Sequence, residues 1–247
     1  MERATRVAAI YDIHGNLTAL EAVLAEIDSL GIERIVVGGD LAWGPQPVET
    51  VSRLLGLGPR ARFVRGNADR EVGDRLGDGE GRPPELVVIT RWCADRLSPG
   101  QRAFLATLPE RVTIDIAGLG RVLFCHGSPL SDEDPIRVDT PEETIAPWLE
   151  DVREATIVCG HTHAPFDRQV AGKRIVNAGS VGLQYGAGAS WALLGPEVEL
   201  RRTPYDVELA AERIARSGVP DADGFVAHVR TPPPMPGEPL PPLTPWR

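Results

Sequence analysis

A layered α/β fold with one sheet in each half of the chain is what these 247 residues predict. Three observations lead there. Short apolar runs, each of strand length, recur between Val7 and Leu200. Behind the first of them, apolar residues step at helical spacing. The turns between runs are crowded with Asp, Asn, Gly and His, which break regular structure and carry ligands.

Val7-Ala8-Ala9-Ile10 reads as a buried strand, and Leu17, Leu20, Leu24 and Ile27 follow as a helix capped by Asn16 and stopped by Gly31. Residues 35–38 form the second predicted strand, residues 47–56 a short helix behind a Pro/Gly loop, and Arg62-Phe63-Val64 the third strand. Residues 73–84 hold four glycines and two prolines and read as an irregular loop or lid. Helices are expected over 85–97 and 99–108, then a hairpin of 112–116 and 122–125 across Gly118 to Gly120. Residues 156–159, 175–176, 191–194 and 198–200 are expected to extend the second sheet, before a last helix over 205–217. Eight prolines within residues 231–247 exclude helix and central strand. The expected organisation is therefore a single domain over 1–230 and a Pro-rich C-terminal arm over 231–247, docked on its own domain or a neighbour.

Composition narrows the function. Apolar residues at 42% and charged residues at 25% match a folded globular chain. No apolar run approaches the ~18 residues of a membrane span, and no signal sequence opens the chain, so a cytoplasmic protein without membrane contact is expected. A net charge of -9 argues against binding extended nucleic acid. Cys93, Cys125 and Cys159 are widely spaced and odd in number, which suits reduced thiols.

Chemistry gathers where strands end. Asp12 and His14 follow the first strand, Asp40 the second, Asn67 the third, His126 the run 122–125, and His161 with His163 the run 156–159. Ligands of open α/β sheets bind at the carboxyl ends of strands, so residues about 150 positions apart can meet in one crevice. Two carboxylates, four imidazoles and one amide suit borderline divalent or trivalent transition metals such as Mn, Fe, Zn, Co or Ni, whereas calcium prefers all-oxygen cages. Seven donors exceed the needs of one tetrahedral ion and fit a pair of ions about 3.5–4 Å apart.

Asp12-Ile13-His14-Gly15-Asn16, Gly38-Gly39-Asp40, Gly66-Asn67-Ala68-Asp69, His126-Gly127 and Gly160-His161-Thr162-His163 resemble the five ordered motifs of the calcineurin-like metallophosphoesterases. His126-Gly127-Ser128-Pro129 and Asn177-Ala178-Gly179-Ser180-Val181-Gly182 are similar to the compact bacterial and archaeal branch of phosphodiesterases and diadenosine-tetraphosphatase-like enzymes. The resemblance implies a four-layer αββα sandwich of two mixed sheets flanked by helices. It implies one ion on Asp12, His14, Asp40 and His163, a second on Asp40, Asn67, His126 and His161, and Asp40 as bridge. It implies hydrolysis of phosphodiesters or nucleotide-like phosphates by a hydroxide shared between the ions. Many relatives carry a histidine where this chain has Ala68, and a methyl group cannot protonate a leaving oxygen.

Arg65 and Arg70 flank the third motif and are candidates to bind substrate phosphate; Asn16 and Asn177 are candidates to touch substrate or to support the ligands. The acidic run Ser131-Asp132-Glu133-Asp134 reads as a solvated loop, and His228 has no motif partner. A small phosphorylated substrate is the expected partner, and self-association into a homo-oligomer is compatible with the sequence. The competing reading is a protein-interaction scaffold or sensor that uses the same fold with a weakly active metal site.

Overall fold

A computed structural model of the chain describes residues 2–74 and 82–235. Most of the expected loop or lid at 73–84 and of the Pro-rich arm, from residue 236 onward, lies outside the described residues.

In chain order the elements are β1 (Arg3–Ala4), β2 (Val7–Ile10), α1 (Leu17–Ser29), β3 (Arg34–Val37), α2 (Pro47–Leu55), β4 (Ala61–Phe63), α3 (Asn67–Gly73), α4 (Pro84–Arg96), α5 (Pro99–Ala106), β5 (Arg111–Ile116), β6 (Gly120–Cys125), α6 (Glu142–Leu149), β7 (Thr156–Cys159), β8 (Phe166–Val170), β9 (Lys173–Asn177), β10 (Ala189–Leu194), β11 (Val198–Thr203), α7 (Val207–Ser217) and α8 (Ala222–Arg230). Asn16 caps α1 as expected, its side chain accepting from the Ala19 amide.

Two mixed sheets result. The first runs β11-β10-β2-β3-β4 and the second β1-β5-β6-β7-β9-β8. The expectation that β10 and β11 extend the second sheet is corrected: β10 lies antiparallel to β2, with Ala192 opposite Ala9. The return loop explains this. Val181 donates to the Tyr11 carbonyl and Gly182 to that of Asp12, which steers the chain back beside β2. Every residue of β10 is buried, as a strand inside a covered sheet requires. Conversely, the two residues of β1 join the second sheet, parallel to β5, and are too short to register as a period.

Alternation along the strands builds three apolar interfaces, which is what four layers demand. Ala8 and Ile10 face a core shared with the helices, including Leu24, Leu54, Cys93 and Ile214. Val7 and Ala9 face the opposite way and meet Val122, Phe124, Val158 and Val176 between the sheets. Leu123, Cys125, Ile157 and Cys159 look outward onto Ile145 and Leu149 of α6. All three cysteines are buried and unpaired.

Strands β2, β3 and β4 run parallel to one another, as do β6, β7 and β9. The carboxyl ends of the two groups share one rim of the sandwich, as two hydrogen bonds between turns of the two sheets record: His161 N to Asp12 Oδ2 at 2.9 Å and His126 Nδ1 to Gly38 O at 2.9 Å.

Candidate metal centre

The turns at this rim are bent in an unusual way. Asp12, His14, Asp40, His161 and His163 all adopt left-handed backbone conformations, with φ between 47° and 63°. Non-glycine residues avoid that region because Cβ crowds the following carbonyl, at roughly 1–2 kcal/mol per residue. The hydrogen bonds of the sandwich hold them there: His14 N donates to Asp40 O at 2.9 Å and Gly15 N to Leu41 O at 3.1 Å. Glycine is required where backbone meets the carboxylate oxygens. A Cβ on Gly66 would lie 2.2 Å from Asp40 Oδ1, and one on Gly160 would lie 2.6 Å from Asp12 Oδ2.

This geometry brings the seven sequence-predicted side chains together. Asp12 Oδ1 lies 3.6 Å from His163 Nε2, 3.9 Å from His14 Nε2 and 3.8 Å from His126 Nε2. Asp40 Oδ2 lies 3.7 Å from His14 Nε2 and 3.5 Å from His126 Nε2. His126 Nε2 faces Asn67 Oδ1 at 3.1 Å, and the His161 ring packs 5.2 Å from that of His126. Donor atoms of Asp12, His14 and His163 fall within 4.8 Å of one another, as do those of Asp12, Asp40 and His126. Both carboxylates therefore span the cluster, where the motif resemblance assigned the spanning role to Asp40 alone.

The imidazole protons decide what the cluster can hold. His14 Nδ1 bonds Trp43 O at 3.1 Å, His126 Nδ1 bonds Gly38 O at 2.9 Å, and His163 Nδ1 bonds Leu183 O at 2.9 Å. A carbonyl only accepts, so each Nδ1 carries hydrogen and each neutral ring turns an Nε2 lone pair inward. Two such lone pairs, on His14 and His163, face each other at 3.1 Å, a contact that needs a cation to be stable. Asp12 Oδ1 is buried with no hydrogen-bond partner among the described residues, while its Oδ2 accepts from the His161 amide at 2.9 Å. A buried carboxylate oxygen left unpaired is costly, and a metal ion removes that cost.

Electrostatics agree. Burial raises the Asp12 carboxyl well above its ordinary range, with help from Asp40. Burial also opposes ionisation of Asp40, yet the His126 charge and hydrogen bond, followed by His14 and His161, hold it far below that range. Burial works against a charged His126, but Asp40 and Asp12 raise it to about 10. Burial lowers His14 and His161, and His163 well below the usual histidine value. Without metal the cluster thus sets a protonated His126 against an ionised Asp40, beside an Asp12 carboxyl whose ionisation burial opposes and three neutral nitrogen donors, a set of groups matched to borderline transition metals.

The supporting shell is where sequence reasoning fell short. Asp69 is fully buried and accepts from three backbone amides: Asp40 at 2.8 Å, Leu41 at 2.9 Å and Gly66 at 3.0 Å. It clamps the second motif to the third. Burial and the nearby Asp40 charge raise its carboxyl to about 7 against the pull of those amides. Asn67 is the first residue of α3, and the Ala68 amide donates to Asp40 Oδ1 at 2.9 Å. Asn16 and Asn177 are both buried, and both support loops. Asn16 caps α1 and donates to Gly182 O; Asn177 donates to Gly160 O at 2.7 Å and Thr162 Oγ1 at 3.0 Å.

The acidic run is not merely solvated. Asp132 and Glu133 pin Arg70, the first through both oxygens at 3.0 and 3.1 Å, Ser128 donates to Asp134, and the Glu133 backbone hydrogen-bonds His161. Arg65 instead points Nη2 at Glu110, 2.9 Å away. His228, which the sequence left without a role, bonds Gln184 O at 3.1 Å, next to the Leu183 carbonyl that orients His163. Phe225 packs on Trp43, whose carbonyl orients His14. A motif fixes ligands but not the carbonyls that aim them.

The profile of the calcineurin-like phosphoesterase superfamily domain matches residues 6–197. An uncharacterized protein of Methanocaldococcus jannaschii is 28% identical over 239 residues, spanning 87% of this chain and 94% of its own. A hypothetical protein of Pyrococcus horikoshii OT3 superposes with a TM-score of 0.79 at 22% identity, covering 91% of this chain and 97% of that one. A metallophosphoesterase of Sphaerobacter thermophilus gives a TM-score of 0.73 at 26% identity over 92% and 99%.

Proposed function

The chain belongs to the calcineurin-like phosphoesterase superfamily, a family of metal-dependent phosphoesterases, and on that premise we propose that it hydrolyses a phosphodiester or nucleotide-like phosphate at a pair of transition-metal ions. The observation that carries the reading is the inward set of Nε2 lone pairs around the orphaned Asp12 Oδ1. Asp12, His14, Asp40 and His163 would hold one ion, and Asp40, Asn67, His126 and His161 the other, with Asp40 between them and Asp12 Oδ1 in reach of both. Bound ions supply a lowered pKa for water and positive charge beside the phosphoryl oxygens.

The remaining work falls to the chain itself. The Trp43, Gly38 and Leu183 carbonyls keep three imidazoles in the ligating tautomer. Asp69 holds the Asp40 and Gly66 amides so that the Asp40 carboxylate cannot swing away. Ala68 offers no proton, so a leaving group must depart as a stable anion, and aryl or phosphate leaving groups are favoured over alkoxides. The working unit is taken as one domain over residues 1–230, acting on small phosphorylated substrates in the cytoplasm. Among the described residues no helix is long and apolar enough to cross a membrane.

The test is hydrolysis of bis(p-nitrophenyl) phosphate by manganese-loaded protein, with Asp40→Asn as control. Turnover by the wild type and its loss in the variant are expected. Stoichiometric metal binding without turnover of any mono- or diester would instead support the scaffold or sensor reading.

A further inference from the structure

A cavity of about 240 Å³ opens beside the cluster, with His126 in its wall and Arg65, Arg70 and Arg111 around it. At about 30 Å³ per water it holds roughly eight waters, ample room for a phosphate group. The three arginines are not equivalent. Arg70 is held on Asp132 and Glu133, which raise its pKa further, and is structural. Arg65 is different: its Nε is buried with no hydrogen-bond partner among the described residues, although Nη2 reaches Glu110. Arg111 opens β5, is exposed, and has no ion pair among the described residues. Two guanidinium groups with unused donors therefore border a cavity that shares a wall with a ligand histidine.

We propose that this cavity is a second anion subsite, in which Arg65 and Arg111 bind a phosphate that the substrate carries beside the scissile one. The inference rests on the phosphoesterase reading and deepens it by naming the substrate class, compounds with two neighbouring phosphate groups. A buried guanidinium N–H without an acceptor is costly, and a phosphate oxygen supplies a charge-assisted bond. The subsite also compensates for Ala68. A departing phosphate needs no proton, and two arginines stabilise its charge. Glu110 occupies Arg65 in the free protein and so competes with the incoming anion.

The experiment compares methylenediphosphonate with methylphosphonate, binding each to full-length, manganese-saturated protein by calorimetry. The wild type is expected to prefer the diphosphonate by at least about tenfold beyond the preference of manganese alone, one charge-assisted bond being worth about that factor. Arg111→Gln, an exposed change that leaves the core intact, should reduce the excess several-fold, and Arg65→Gln should abolish it. Glu110→Gln, by releasing Arg65, should increase it, an effect that a purely structural Arg65–Glu110 pair does not produce. An excess that is absent in the wild type, or unchanged in both arginine variants, overturns the subsite. Binding is read without turnover, so failure here is separable from failure to hydrolyse any ester, which counts against the activity instead.

Discussion

Replacing Asp69 tests whether the centre is built by its supporting shell or only by its ligands. The carboxylate is fully buried and takes three amides, Asp40 and Gly66 on Oδ2 at 2.8 and 3.0 Å and Leu41 on Oδ1 at 2.9 Å. In Asp69→Asn the amide oxygen can replace Oδ2 and keep two of these bonds, but its NH2 then faces the Leu41 N–H. Two buried donors then face each other, at about 1–3 kcal/mol each, and relief of the buried charge offsets part of that, so a loss near 2 kcal/mol is expected. Asp69→Ala strands all three donors, and about 4 kcal/mol is expected after allowing for relief of the buried charge. Because Asp69 fixes the backbone that carries Asp40, metal affinity should fall roughly 10–100-fold in the Asn variant, as for other groups that orient ligands. Urea unfolding of the metal-free protein gives the first quantity, and competition with a chromophoric chelator gives the second. An Asn variant within about 0.5 kcal/mol of wild type, a typical surface-substitution effect, and with unchanged metal affinity, would refute the reasoning.

Other outcomes follow from the same geometry. Manganese should stabilise the wild type against heat by about 2.7 kcal/mol when present at 100 times its Kd, and Asp40→Asn should lose most of that gain in calorimetry; equal gains in both would remove Asp40 from the centre. Wild-type turnover should favour aryl over alkyl phosphate esters strongly, and Ala68→His should raise alkyl turnover by up to about 10²-fold; equal rates for the two ester classes in the wild type count against a missing general acid. Phe225→Ala should cost roughly 3–5 kcal/mol in urea unfolding, because the ring is 7% exposed and packs on Trp43. It should also weaken metal binding through His14, and a purely global loss of stability with intact affinity would limit Phe225 to packing.

The strands were legible because β2, β3, β6 and β7 are short apolar runs with no competing period, and α1 because its cap and stop are both local signals. Sheet membership was not: β10 could be read as a strand, but nothing in its residues says that it returns to β2, since pairing depends on the loop bonded to Tyr11 and Asp12. Helix α6 was hidden by Pro147 within it, and α3 by Asn67, which reads equally as a turn residue. The candidate ligands were visible because each follows a strand as a polar residue. Their left-handed backbone, the Asp69 clamp, the Trp43 and Leu183 carbonyls and the difference between Arg65 and Arg70 arise only when distant segments meet, and no local pattern encodes them.

The most direct measurement is an anomalous-scattering map from crystals of this protein soaked in manganese. Two peaks are expected about 3.5–4 Å apart, one against His14 and His163 and the other against Asn67, His126 and His161, with Asp40 touching both. A lone peak, or none, among these side chains in fully loaded crystals would contradict a two-ion centre.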